Sequence, residues 1–344
     1  MQTKELKKVL VNGTEVSVSE KEMNMLKCTA SKNEVESKEH RVALAAVLEQ
    51  AWKAGVLEPD LLGTIFTRHD LPGGVDAKFP IDFYTSSNEG LYNAFVVPKE
   101  GAIPDRIIEG DEIRVPTYKV ANAISWSLDY ARDARWDIIS RAIEVFTNGF
   151  VRKMNDDGWH VILKAASENS QSTVTDQTAT AGTFTKKLLL NMKTAIKRST
   201  GARNAVLTDL YMSPEAMADI LNFDNDTVGG IYLKDLLNVG EGGIPSLYGV
   251  RLHEMQEFGV NQEFNDYLDD TLALTLPTIG GDPGEEWVVG LDLLHRDQFV
   301  MPVRQNMEMF DDPTLHRSGK AGIYGWLEVG FASLDVRRSL LGAL

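Results

Sequence analysis

The chain has 344 residues, 43% of them hydrophobic and 25% charged, with a formal net charge of −15. That is ample apolar material for a core spread over two or three lobes, and it excludes wholesale disorder. The acidic balance counts against gripping the nucleic-acid backbone, which needs clustered Lys and Arg, and a single cysteine, Cys28, excludes an internal disulfide framework.

The start, Met1 to Leu10, carries charges but no long apolar run, so it does not read as a secretory signal. No stretch approaches the ~18 consecutive apolar residues of a membrane span, and the expectation is a soluble protein made in a cytoplasm. Leu6, Val9 and Leu10 predict a short amphipathic helix. Ser17 or Ser19, each with a glutamate three residues on (Glu20, Glu22), would cap a second one carrying Met23, Met25 and Leu26. From Lys38 to Ala54 the signal is firmer: Val42, Leu44, Val47, Leu48, Ala51 and Trp52 make a broad apolar face, and Gly55 is placed to stop it.

Residues 60 to 90 hold Pro72-Gly73-Gly74, Phe79-Pro80 and Ser86-Ser87-Asn88, which is turn chemistry between short extended pieces. Leu91–Pro98 and Ile107–Ile124 read as strands, but Pro98, Pro104 and Pro116 demote them to edge or protruding positions. A long exposed two-stranded arm over about Thr85–Thr117 fits these residues better than a buried sheet. Asp129 to about Glu168 is the strongest helical segment. Ile139, Ile143, Phe146, Phe150, Met154, Val161 and Ala165 recur at three- or four-residue steps, predicting one helix of roughly 60 Å, with a kink near Gly158.

Residues 169–183, rich in Ser, Thr, Gln and Asn, read as a solvated loop. A helix follows over Lys186–Lys197, then a buried strand over Asn204–Met212. Ser213-Pro214-Glu215 supplies an N-cap, a proline at the first helical position and an acid in the first turn of a helix through Leu221. Gly229-Gly230 and Gly240–Gly243 mark loops. Ser246–Leu252 reads as one strand, Pro277–Gly284 as a loop, and strands return at Trp287, Phe299–Arg304 and Tyr324–Ala332.

No catalytic, cofactor-binding or metal-binding residue is nominated. His295-Arg296-Asp297 copies three letters of a kinase catalytic loop, but Pro302 stands where that loop needs Asn. Gly240–Gly243 has no following Gly-Lys-Ser/Thr, so it is not a phosphate loop. Asp224–Gly229 opens like a calcium loop, but Val228 occupies a ligand position. The six histidines form no metal-ligand spacing, there is no nucleophile elbow, and turn chemistry explains Asp311-Asp312-Pro313.

The order of elements is informative: polar arm, protruding strands, long helix, polar loop, an α/β lobe with glycine-rich loops, and returning strands. Arg114–Asp129 running into the long helix, Ala205–Met217, Gly243–Leu252 and Asp292–Gly330, with Trp326-Leu-Glu-Val-Gly330, together resemble the HK97-type major capsid proteins of tailed bacteriophages. The resemblance implies an α+β fold. Its parts would be an N-terminal arm (1–65), an extended β-loop or E-loop region (66–128) and a peripheral domain with a spine helix (129–200). An axial domain (201–290), peripheral return strands (291–325) and a C-terminal return to the axial domain (326–344) would follow. It implies a non-enzymatic subunit that forms hexamers and pentamers, closing into an icosahedral shell around double-stranded DNA held by weak non-specific contacts. Scaffolding, portal and decoration proteins would be partners, the host bacterial cytoplasm the place of assembly, and the virion capsid the destination. The start at Met1 predicts that no N-terminal scaffolding segment is cleaved. Lys99 and Asn306 are residue types that some members crosslink, but nothing in their spacing supports it. Two other readings stand beside it: an encapsulin-like nanocompartment shell around a cargo enzyme, and, more remotely, a soluble enzyme with a composite site.

Overall fold

A computed structural model describes residues 7–11, 14–18, 61–72, 75–81, 111–129, 136–169, 173–199, 205–221, 223, 238–239 and 245–344. The helix expected over Lys38–Ala54, the strand over Leu91–Pro98, Cys28, and the loops at Gly229-Gly230 and Gly240–Gly243 lie outside the described residues.

The first described elements correct the sequence reading. β1 (Lys7–Val11) and β2 (Thr14–Val18) pair antiparallel, with Val11 opposite Thr14, where a helix was expected around Leu6–Leu10. The reason is legible in hindsight. Asn12-Gly13 is the strongest two-residue hairpin signal, and Val9, Val11, Val16 and Val18 recur at the strand period of two.

α1 (Leu61–Ile65) leads into β3 (Thr67–Asp70) and β4 (Ala77–Ile81). β4 pairs antiparallel with β5 (Asp111–Val115) as a separate two-stranded ribbon; β5 falls within the arm expected over Thr85–Thr117, but its partner β4 precedes the expected start. β6 (Tyr118–Ser127) then enters the body.

α2 (Trp136–Ser167) is one unbroken helix of 32 residues, about 48 Å at ~1.5 Å per residue, and Leu128 and Asp129 are helical as well. The kink expected near Gly158 does not break it. Its two glycines are sites of close approach. A Cβ on Gly149 would come within 2.9 Å of the Asn122 amide, and one on Gly158 within 2.5 Å of Leu62 Cδ2. What the helix loses in propensity at Gly158 it regains as packing against α1.

α2 lies across two sheets. Toward its N-terminal end Ile143, Phe146 and Phe150 pack on Trp126, Met307, Ile323 and Leu327. These belong to a five-stranded sheet built from β6, β14 (Phe299–Asp311), β15 (Lys320–Val329) and β16 (Ala332–Ser333), with β3 paired parallel to β14. Toward its C-terminal end Trp159, Ile162, Leu163 and Ala166 pack on Tyr211, Trp287, Val289 and Leu341. Those residues lie on one face of a six-stranded sheet of order β17-β13-β7-β10-β9-β8. Its strands are β7 (Asp209–Met212), β8 (Asn238–Val239), β9 (Pro245–Leu247), β10 (Val250–Glu254), β13 (Trp287–Leu291) and β17 (Ser339–Ala343), while β11 (Thr278–Ile279) and β12 (Asp282–Pro283) pair as a short separate hairpin where Pro277–Gly284 was expected to be a loop.

The other face of the six-stranded sheet is covered as well. α3 (Lys186–Arg198) and α4 (Pro214–Leu221) set Leu188, Met192, Ile196, Ala216 and Ile220 against Leu210, Val250, Val288 and Leu340. Both helices start as the sequence predicts: Thr185 Oγ1 accepts from Leu188 N (3.1 Å) and Ser213 Oγ from Ala216 N (3.0 Å).

Two further readings need correction. Ser246–Leu252 is not one strand but a hairpin of β9 and β10, because Tyr248 (φ 52°) and Gly249 (φ 77°) take the left-handed conformation of a tight primed turn. The polar stretch before α3 is not a free solvated loop. Val174 N donates to Leu341 O and Ala343 N to Val174 O, while Asp176 is buried. Its carboxylate accepts from Thr178 N (3.0 Å), Thr178 Oγ1 (2.7 Å) and Thr185 Oγ1 (2.9 Å), and pairs with Lys187 (2.9 Å). The polarity of this stretch serves a buried carboxylate and not solvent. Last, β15 runs as one strand through residue 326, and within 326–344 it is β17 that joins the six-stranded sheet.

Candidate assembly surfaces

The chain's functional surfaces follow from what the two sheets leave uncovered. The five-stranded sheet turns one face to α2 and the other outward. On the outward face of β14 and β15, Phe310, Tyr324 and Trp326 form a cluster with ring centroids 4.9–5.6 Å apart, and Lys119 lies over Trp326 at 6.0 Å. Beside it β6, which also carries Lys119, contributes the small residues Ala121, Ala123 and Ser125, all exposed. β6 is also an edge strand: its ten residues pair with β15, and no second strand flanks it among the described residues. Such an edge presents unpaired backbone groups. Its position against α2 is fixed by Tyr118, whose hydroxyl donates to Asp157 Oδ2 (2.6 Å). Burial, then the neighbouring Asp157, push that hydroxyl's pKa well above its usual value.

Charge is handled differently by the two sheets. The carboxylates buried among the described residues, Asp176, Asp209, Glu286 and Asp292, all sit in or against the six-stranded sheet. Asp209 has Thr208 Oγ1, Arg251 Nη2 and His253 Nε2 each at 2.7 Å. Burial alone would raise its pKa, but the hydrogen bonds from His253, Thr208 and Arg251 outweigh it and hold the carboxyl low. Asp176 is likewise held well below the carboxylate range by Thr178, Lys187 and Thr185 against the effect of burial. Glu286 goes the other way. Burial raises it, the Ser213 hydroxyl at 2.5 Å opposes, and the negative charges of Glu215, Glu285 and Asp219 add to the rise. These are structural ion and hydrogen-bond networks inside a packed sheet, not groups converging in a cleft.

A cleft of about 540 Å³ runs along α2 and is lined by Arg152, Lys153, Asp156, Trp159, Glu257 and Glu263. Lys153 is committed to the helix itself: it lies 2.8 Å from Asp157 and 3.2 Å from Asp156, and hydrogen bonding to Asp157 raises its pKa. Among the described residues no group of three or more His, Cys, Asp or Glu could hold a metal ion, and no helix is long and apolar enough to cross a membrane.

The motifs weighed in the sequence fall in mundane places. His295-Arg296-Asp297 lies in a 3-10 turn, Leu293–Gln298, joining β13 to β14. Asp312 accepts from Thr314 N (3.0 Å) and Oγ1 (2.6 Å), the expected turn. Asn306 accepts from Arg68, and Lys99 lies outside the described residues. The basic run on α3 is partly spent inside the fold: Lys187 is paired with Asp176, Lys193 Nζ donates to Tyr248 O (2.6 Å), and Lys186 lies over the Tyr248 ring (5.3 Å).

A long helix bridging two sheets, with a projecting ribbon and an open edge, defines a subunit built to pack against other subunits: an α+β structural protein of the HK97 type. Comparison with solved structures places it there. The capsid of an empty GTA particle matches with a TM-score of 0.52 at 16% identity, over 84% of this chain and 91% of that chain. The capsid of cyanophage P-SCSP1u matches with a TM-score of 0.52 at 10% identity, over 82% and 87%. The mature capsid of bacteriophage PhiM1 matches with a TM-score of 0.51 at 11% identity, over 84% and 88%. At these identities the likeness establishes the fold. A comparison with curated proteins finds no match. The family model for phage capsid proteins matches residues 110–330, nearly two thirds of the chain, and the chain belongs to that family. It is a structural protein of a bacteriophage capsid shell.

Proposed function

We propose that copies of this chain form hexamers and pentamers that close into an icosahedral shell around double-stranded DNA, assembled in the host bacterial cytoplasm with scaffolding, portal and decoration proteins as further partners. The observation that carries this reading is α2, whose two ends pack into two different sheets. A single helix of about 48 Å coupling both sheets makes a stiff wedge, and a stiff wedge is what a closed shell of repeated subunits requires. In this division the ribbon belongs to an extended arm, the five-stranded sheet to a peripheral lobe and the six-stranded sheet to an axial lobe. Catalysis has no part in the reading.

Contact with DNA is weak in this account. The net charge is −15, and two of the α3 lysines, Lys187 and Lys193, are committed to partners within the chain. Fluorescence anisotropy with a short labelled duplex should find negligible binding of free subunits at about 150 mM salt, where screening acts over ~8 Å. Mass photometry and negative-stain imaging of the purified chain test the assembly itself. Closed shells with capsomer-sized intermediates are expected; a monodisperse monomer under all assembly conditions, or sub-micromolar DNA binding, contradicts the proposal.

A further inference from the structure

The β4–β5 ribbon is joined to the rest of the described body by two chain crossings: residues 71–76 enter it from β3, and Pro116-Thr117 leave it for β6. Both crossings are tied to the same ion pair. Glu328 on β15 accepts from Thr117 Oγ1 (2.8 Å) on the outgoing crossing and from Arg304 Nη1 (3.0 Å). Arg304 on β14 in turn donates through Nη2 to Val75 O (3.3 Å) on the incoming crossing and lies 3.8 Å from Asp76. Asp76 closes the circuit by accepting from Arg114 Nη2 of β5 at 3.0 Å. The pair is placed deliberately. β14 changes register against β15 between Val303 and Gln305, and a bulge of this kind re-aims a side chain out of the pleat. Beneath the outgoing crossing Gly330 leaves room for the backbone, since a Cβ there would come within 2.5 Å of Pro116 O. The apolar root has Ala77, Val115 and Val300 as its buried centre, with Leu71, Phe79, Ile113, Ala332 and Leu334 packed half-buried against it. The direction of the ribbon therefore rests on this local apolar root together with a few polar contacts.

We propose that Arg304 and Glu328 form a latch that sets the direction in which the ribbon leaves the five-stranded sheet, and that this direction decides whether the ribbon can meet the next subunit. The second half rests on the shell reading above; the first does not. Arg304 and Glu328 act as positioning residues, and the planar guanidinium serves because it reaches a carboxylate and a backbone carbonyl at once from different nitrogens.

Distances between spin labels test the latch on the free subunit. In a Cys28→Ser background, one label replaces exposed Lys78 on the ribbon and the other exposed Arg152 on α2. The parent should give a single narrow distance distribution. Glu328→Gln, which keeps size and removes charge, and Arg304→Lys, which keeps charge and removes the fork, should each broaden the distribution and shift its mean. Melting temperatures close to the parent's would show that the body stays folded. Gly330→Ala, which pushes on the outgoing crossing without touching the ion pair, should shift the mean by a separate route. An unchanged distribution in both Glu328→Gln and Arg304→Lys overturns the latch. Assembly yield then separates the two layers: loss of closed shells in the broadened variants supports the link to assembly. A broadened distribution with undiminished yield keeps the latch and overturns the ribbon's part in shell formation.

Discussion

The six-stranded and five-stranded sheets are made from the same chain under opposite rules. In the first, β7, β13 and β17 are buried at every position, because helices cover both faces. In the second, β15 alternates buried and half-buried residues over most of its length, because α2 covers one face only. A two-sided sheet has little left to offer a partner except its loops. A one-sided sheet keeps a face, an edge and a ribbon available. The difference assigns stability mainly to one region and assembly mainly to the other.

The hardest test of that division is to truncate α2 at each end. Trp159→Ala and Phe146→Ala should each cost about 3–5 kcal/mol by chemical denaturation, since both rings are essentially fully buried. Hydrogen exchange should then diverge. Trp159→Ala should expose β7 and β13, against which its ring packs edge-on to Tyr211 at 4.8 Å, whereas Phe146→Ala should expose β6 and β15. Equal loosening of both sheets by either variant would mean that the two do not act as separable regions.

Acid should separate the regions next. Asp176 and Asp209 are held below the ~3.9 of an unfolded aspartate, so their contribution is fully present above that value. It is lost as pH falls through their folded pKa values, because the unfolded chain takes up protons first. Below about pH 4 the six-stranded sheet should therefore lose exchange protection before the five-stranded sheet does. Asp176→Ala should cost about 1–3 kcal/mol at neutral pH, by leaving the Thr178 and Thr185 donors without their acceptor, and should flatten the acid limb. An acid limb as steep as the parent's would show that Asp176 carries no linkage.

Gly158→Ala is the finest probe. It gains about 1 kcal/mol of helix propensity but drives a methyl into Leu62, and overpacking typically costs ~1–3 kcal/mol. A net loss below about 2 kcal/mol is expected from thermal unfolding. A gain would mean that Leu62 moves aside freely and that α1 is loosely held.

What could be read from the sequence follows the same division. The apolar runs Leu210–Met212 and Trp287–Leu291 announce buried strands, and the stripe through Ile143, Phe146 and Phe150 announces α2. Local chemistry that was available but underweighted includes Asn12-Gly13 between the Val-rich strands and Tyr248-Gly249 inside what looks like one strand. The Asp176 network and the Arg304–Glu328 pair are another matter. Thr117 and Glu328 are 211 positions apart, and no spacing rule on one chain reveals that the fold brings them to 2.8 Å. Polar residues that satisfy one another across such distances look, in sequence, like residues satisfied by water.

The account's central claim is that the half-open sheet is the assembling side of a shell subunit. Hydrogen exchange on free subunits and on assembled shells of the same protein tests it most directly. The account predicts that protection rises on assembly along β6 and the ribbon strands β4 and β5. It predicts little change in β7 and β13, which are already protected in the free subunit. Protection gained in β7 and β13 with none along β6 and the ribbon would contradict it.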